Sequence, residues 1–202
     1  DITVYFYKPD NWSAPNIYYY KNDNDTGKAW PGEAMKQVQD NWYSFTITKY
    51  SEAKVMFNSN SKQIPAQNQP GLDAKGVMWY KNGVWCDTES DSDKDELPDY
   101  MELILGTDIS KIDTDGDGLP DGYEALTLGT DPTKIDTDNN GVNDDAEDAD
   151  NDGLTNLKEY QLGTNPTNED SDSDGLKDGE EVNTYKTNPL KKDTDGDTLF
   201  DG

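Results

Sequence analysis

Asp113-Thr114-Asp115-Gly116-Asp117-Gly118-Leu119-Pro120-Asp121-Gly122-Tyr123-Glu124 sets acids at positions 1, 3, 5, 9 and 12 of a twelve-residue frame, with glycine at 6. Alternate side chains at this spacing converge on one cation. Position 7 offers its carbonyl, and a closing glutamate binds through both oxygens, which is how a loop wraps calcium. Further frames begin at Asp91, Asp136, Asp148, Asp170 and Asp193, the last meeting the end of the chain at Gly202. Five complete copies in register exceed accident. The expected metal ligands are Asp91, Asp93, Asp95, Asp99 and Glu102 in the first loop, and Asp113, Asp115, Asp117, Asp121 and Glu124 in the second. Asp136, Asp138, Asn140, Asp144 and Glu147 form the third set, and Asp148, Asp150, Asp152, Asn156 and Glu159 the fourth. Asp170, Asp172, Asp174, Asp178 and Glu181 follow, then Asp193, Asp195 and Asp197. Together they predict about five or six Ca2+ ions, one per loop.

Loop starts are separated by 22, 23, 12, 22 and 23 residues. The short step puts Glu147 and Asp148 back to back. The longer steps insert spacers such as Tyr123-Glu124-Ala125-Leu126-Thr127-Leu128-Gly129-Thr130-Asp131-Pro132, long enough for about two helical turns. A glycine able to take the left-handed conformation ends each helix, and an Asp/Asn-Pro turn follows. The fourth spacer departs, with Lys186 where the glycine stood.

Charge separates this array from the rest of the chain. The protein has 202 residues and a formal charge of −26, of which residues 1–86 contribute +1 and residues 87–202 contribute −27. All five Trp and eight of the twelve Tyr lie in 1–86. Two domains are therefore expected, 1–86 and 87–202. Without counter-ions the second would repel itself open; regular phase argues against a solvated tail. Such acidity is also the wrong sign for nucleic acid. A single cysteine, Cys86, excludes an internal disulfide, and the absence of histidine removes the commonest general base and zinc ligand. No apolar stretch approaches membrane-spanning length. The chain reads as a piece of a longer protein, and loops of this type fill at the millimolar calcium outside cells, so a secreted or surface-attached location is expected.

True EF-hands carry the apolar loop residue at position 8 between long helices. Here it stands at position 7, as Leu97, Leu119, Val142, Leu154, Leu176 and Leu199. The signature at 113–132 instead resembles bacterial thrombospondin type 3 repeats, a likeness covering about 87–202. It implies a chain wound around a string of calcium ions with little hydrophobic core. Glu96 and Thr198 replace the position-6 glycine, so a strained or weaker site is expected at Asp91. Dockerin modules, with two such loops about 22 residues apart, are the competing analogy. They would make the array a surface for a protein partner in adhesion or assembly.

Residues 1–86 show period-two runs at 2–7, 16–20, 42–48, 53–58, 77–81 and 83–85, the last two hinged at Asn82-Gly83. Short alternating strands in so few residues predict an antiparallel β-sandwich. The whole chain is thus expected to be mainly β, a sandwich followed by a calcium-stabilised irregular repeat array with short helical turns. The aromatic content exceeds the needs of so small a core. If Ile17 and Tyr19 face inward, Tyr18 and Tyr20 stand side by side in solvent; the opposite parity would bury them and expose Tyr19. An exposed aromatic ledge suits a glucose ring, whose C–H face packs on a ring plane while its hydroxyls bond nearby amides.

Val4-Tyr5-Phe6, Lys8-Pro9-Asp10-Asn11-Trp12-Ser13, Ile17-Tyr18-Tyr19-Tyr20 and Trp30-Pro31-Gly32 resemble carbohydrate-binding module family 26, as do 42–47, 67–71 and 79–83. The resemblance implies noncatalytic binding of starch, of its amylose and amylopectin, and of maltooligosaccharides. It places Tyr18, Tyr20 and Trp30 in a stacking cradle and adds hydrogen bonds from Gln67. Trp12, Trp42, Trp79 and Trp85 read as structural. Catalysis by paired carboxylates is not expected, because the acids follow calcium phase and none sits in an apolar pocket.

Overall fold

The computed structural model describes residues 1–22 and 29–202. The chain forms two compact units, 1–90 together with 98–100, and 91–97 together with 101–202.

The first unit is a β-sandwich. One sheet orders its strands β10-β9-β1-β5-β4, from Val84–Cys86, Val77–Lys81, Ile2–Tyr7, Trp42–Ile47 and Lys36–Gln39. The other runs β3-β2-β6-β7, from Glu33–Ala34, Asn16–Tyr20, Glu52–Ser59 and Lys62–Ile64, with β8 (Leu72–Lys75) also pairing β6. All pairs are antiparallel except β1 with β9, which run parallel. Alternation decides the faces: Ile2, Val4 and Phe6 point inward from β1, Ile17 and Tyr19 from β2, Ala53, Val55 and Phe57 from β6. Phe6 and Phe57 stack at 4.1 Å across the core. Each such side chain contributes about 1.5–3 kcal/mol on leaving water.

The surplus rings have a place. On the outer face of the first sheet Tyr5 stacks on Trp79 at 3.9 Å, and Trp42 meets Trp79 edge-on at 5.3 Å. Trp85 donates its Nε1–H to the Asp73 carbonyl at 2.7 Å, and Trp12 packs against the core. These four tryptophans are structural, as expected.

The second unit has little apolar interior: Leu97, Leu103, Leu119 and Leu154 are buried, and so are Glu102, Glu124, Glu159 and Glu181. Its helical pieces are short. Asn156–Leu162 is capped by the Thr155 hydroxyl and ends at left-handed Gly163, whereas Asp121–Tyr123 and Asp178–Glu180 widen at once into single π turns. Lys186 takes the left-handed φ (65°) that glycine takes elsewhere, and its Nζ donates to the carbonyls of Val182 and Asn183, each at 2.9 Å.

Candidate carbohydrate and metal sites

β2 settles the parity: Tyr19 is buried, with its hydroxyl donating to Glu33 Oε1 at 2.7 Å, and Tyr18 and Tyr20 occupy the opposite, outer face. Burial together with the Glu33 carboxylate pushes the Tyr19 hydroxyl up to about 12. The Tyr18 and Tyr20 rings lie 5.8 Å apart, and Trp30 lies 5.7 Å from Tyr18 at 58°. The three expected cradle residues therefore form one cluster, with Trp30 half exposed at its open end.

Trp30 sits in a loop, and the backbone beside it is pinned. A Cβ on Gly32 would fall 2.1 Å from the Ile17 carbonyl oxygen, so only glycine lets this loop lie flush on β2. Buried Asn58 donates to the Pro31 carbonyl at 2.8 Å. At the other end, the Gly71 N–H donates to the Tyr20 hydroxyl at 3.1 Å, fixing that ring. Gln67 lies in the exposed turn after β7, held by Gln69 N–H to the Ala66 carbonyl at 3.0 Å.

The calcium loops repeat one geometry. In all six, the N–H at position 9 donates to the carbonyl just before position 1, as Asp121 does to Ile112 at 2.8 Å and Asp201 to Lys192 at 2.9 Å. The position-1 carboxylate then gathers backbone donors: Asp113 accepts from Gly116 at 2.6 Å and Gly118 at 3.0 Å. Positions 4 and 6 take positive φ throughout, including Lys94 (68°), Glu96 (80°) and Thr198 (80°). Asp91, Asp93 and Asp95 converge, as do Asp113, Asp115 and Asp117, then Asp148, Asp150 and Asp152, then Asp170, Asp172 and Asp174; within each set the oxygens lie within 4.8 Å of one another. That separation matches the 2.3–2.6 Å oxygen bonds of calcium.

Unpartnered buried oxygens test whether an ion fits. Among the described residues, Asp93, Asp115, Asp150 and Asp172 at position 3 each have a buried oxygen with no hydrogen-bond partner, and so do Glu124, Glu159 and Glu181 at position 12. An uncompensated buried carboxylate oxygen is costly. The other glutamate oxygen is engaged: Thr130 donates to Glu124 at 3.0 Å and Thr187 to Glu181 at 2.9 Å. Burial, above all, pushes Glu124 and Glu159 up to about 8, Glu181 to about 7 and Asp117 to about 6. Hard oxygen donors with an open, buried lone pair suit Ca2+.

Other expected ligands are placed differently. At position 9 the carboxylate is tied to position 2: Asp121 accepts from the Thr114 N–H at 2.7 Å and hydroxyl at 2.6 Å, and Asp178 likewise from Ser171. Asp144 does the same with Thr137, and it also lies with Asp117 and Glu124 of the preceding loop in a three-acid group. Asn156 spends both ends of its amide on protein, accepting from Ala149 and donating to the Asp144 carbonyl. Asn140 donates to Glu147 at 2.6 Å. Asp99 is buried at the start of the helix Asp99–Leu105; Asp136, Asp193, Asp195 and Asp197 stay in their loops as backbone acceptors or neighbours of them.

Two features escaped the sequence reading. Asp201 accepts from the Thr194 N–H and occupies position 9 of the last loop in the manner of Asp121. The loops are also bonded to one another. The position-5 carboxylate accepts from its own position 7 and, through the other oxygen, from position 10 of the next loop: Asp95 from Gly122 at 2.9 Å, Asp117 from Asp145 at 3.2 Å, Asp152 from Gly179 at 2.7 Å, Asp174 from Gly202 at 3.1 Å. The recurrent Asp-Gly at positions 9 and 10 carried that signal.

Comparison with known proteins agrees with both resemblances. Residues 4–69 match the family model of starch-binding module 26, a noncatalytic carbohydrate-binding class. Residues 113–135, 148–169 and 170–192 match the bacterial TSP3 repeat. Among solved structures, the family 26 module of a Bacillus halodurans amylase in complex with maltose is 28% identical over 43% of this chain and 96% of its own, with a TM-score of 0.38. The family 25 module of a Bacillus halodurans amylase with maltotetraose is 23% identical over 45% and 98%, with a TM-score of 0.36. A family 26 module from Eubacterium rectale in complex with maltoheptaose is 19% identical over 44% and 45%, with a TM-score of 0.30. The chain thus joins a carbohydrate-binding module to a thrombospondin type 3-like repeat region of calcium-binding type. No helix among the described residues is long and apolar enough to cross a membrane.

Proposed function

We propose that residues 1–86 bind starch and related α-1,4-glucans without cleaving them, and that residues 87–202 form a calcium-stiffened spacer in a larger extracellular protein. The carrying observation is the cluster of half-buried Tyr18 and Tyr20 on the outer face of β2 with exposed Trp30 beside them, within the stretch that matches the starch-binding family model. Each ring offers a flat apolar face to the C–H side of a glucosyl unit, and Gln67 contributes hydrogen bonds from the turn after β7. Few apolar atoms are buried by so shallow a cradle, so the dissociation constant falls between about micromolar and millimolar.

The spacer reading rests on the four converging aspartate sets and the buried oxygens that lack partners. Five or six ions would satisfy those oxygens and supply about +10 to +12 against the −27 of the array, and the millimolar calcium outside cells would keep them bound. Calorimetry of the full chain against maltooligosaccharides of graded length tests the first half. Heat on adding maltose or longer members, with no reducing ends released from soluble starch, is the expected result. Silence with every member, or release of reducing ends, overturns it.

A further inference from the structure

Beyond the three rings, the outer face of the second sheet continues without a break. Tyr20 pairs in register with Lys54 of β6, and Lys54 with Asp73 of β8, so all three side chains emerge on one face. Gly71 lies between them: a Cβ there would stand 3.1 Å from Lys54 Cβ and 3.3 Å from Tyr20 Cε1. Past Tyr20 the surface falls into a cavity of about 510 Å³ lined by Lys21, Glu52, Lys54, Asp73 and Lys75. That volume lies within the roughly 300–1,000 Å³ typical of small-ligand sites.

The chemistry changes across Tyr20. The rings on one side offer apolar faces. The cavity lining adds charged groups, among them the Lys54–Asp73 pair, Nζ to Oδ1 at 2.7 Å. Asp73 remains 87% exposed, and its β8 backbone is held by the Trp85 indole through the Asp73 carbonyl at 2.7 Å. An ammonium has three N–H donors and a carboxylate several acceptor sites. One mutual bond therefore leaves donors on Lys54 and acceptors on Asp73 to bond a pair of vicinal hydroxyls. Ion pairs open on one side cost little to engage, because neither partner has to be stripped of its counter-charge.

We propose that this cavity is a second, hydroxyl-reading subsite, in which Lys54 and Asp73 bind the glucosyl unit or units beyond the one stacked at Tyr20. It rests on the reading of the three rings as a glucan cradle. The module would then discriminate by chain length: a disaccharide fills the rings, and a longer α-1,4-glucan continues over Tyr20 into the cavity.

The test is calorimetry of the full calcium-loaded chain with maltose and with maltoheptaose, for the wild type, Lys54→Ala, Asp73→Ala and Trp30→Ala. Circular dichroism verifies each fold. The subsite requires that the wild type bind maltoheptaose more tightly than maltose, and that Lys54→Ala and Asp73→Ala each lose about three- to tenfold for maltoheptaose with less than a twofold change for maltose. Equal losses for both sugars, or no loss for either, overturn the subsite. If Trp30→Ala still weakens maltose binding in that event, the cradle stands alone. A wild type that binds neither sugar overturns both.

Discussion

Trp30 keeps half of its surface in water although the loop carrying it is pinned at Gly32 and at the Pro31 carbonyl. The backbone is thus ordered before any ligand arrives, and what a sugar adds is burial of the indole. Covering such a side chain is worth about 1.5–3 kcal/mol, so Trp30→Ala is expected to weaken binding to starch roughly ten- to a hundredfold while leaving circular dichroism unchanged. Retention on insoluble starch measures this; undiminished retention places the cradle elsewhere. Glu96 makes the opposite kind of prediction. It holds φ at 80° in the turn that glycine fills in four other loops, and its amide still reaches Asp91 at 3.3 Å. A non-glycine residue in that region costs on the order of 1 kcal/mol. Glu96→Gly is expected to raise the stability of the calcium-loaded array by about that much, read as a higher melting temperature. A lower one would mean that the glutamate side chain, not the turn, governs this loop.

Between elements, what the sequence told and what it hid divide along physical lines. β2 was legible because Ile17 and Tyr19 against Tyr18 and Tyr20 is a period-two pattern with one buried face. β4, Lys36–Gln39, was not: it is exposed throughout, and Lys-Gln-Val-Gln has no core face to betray it. The parallel pairing of β1 with β9 is also invisible, since alternation is the same for either direction. In the array the aspartate phase was plain, yet the bonds between loops join residues 27 or 28 apart and leave no local period. Their one trace is glycine at position 10, where a Cβ on Gly122 would fall 2.2 Å from the Asp95 carbonyl oxygen and one on Gly179 equally close to that of Asp152. Forcing atoms into so tight a contact costs about 1–3 kcal/mol. Gly122→Ala is therefore expected to lower the unfolding temperature of the calcium-loaded array and leave the starch affinity of the module intact. An array unaffected by the added methyl would show that the loop-to-loop bonds do not hold it together.

Across the whole molecule the two units differ in what keeps them folded. The sandwich closes on Phe6, Phe57 and their neighbours, and its nearly neutral charge opposes nothing. The array places glutamates 124, 159 and 181 in the interior, with burial holding them protonated up to about 8, 8 and 7. A carboxyl whose folded value is raised favours the folded state below its unfolded value near 4.5, and that contribution is lost as pH rises through the folded value. Without calcium the array is then expected to be most compact near pH 5 and to open towards pH 8, where its carboxylates ionise against one another. Calcium reverses the trend, because the ion competes with protons for the same oxygens, so its affinity rises across the same window and binding releases protons. Chelation at pH 8 should loosen residues 87–202 while the aromatic near-ultraviolet signal of the sandwich persists; at pH 5 the loss should be smaller. Hydrogen exchange with and without chelator at both pH values reads each unit separately. Collapse of both units on chelation would mean that the sandwich depends on calcium too, and equal loosening at the two pH values would mean that the buried glutamates do not set the array's response.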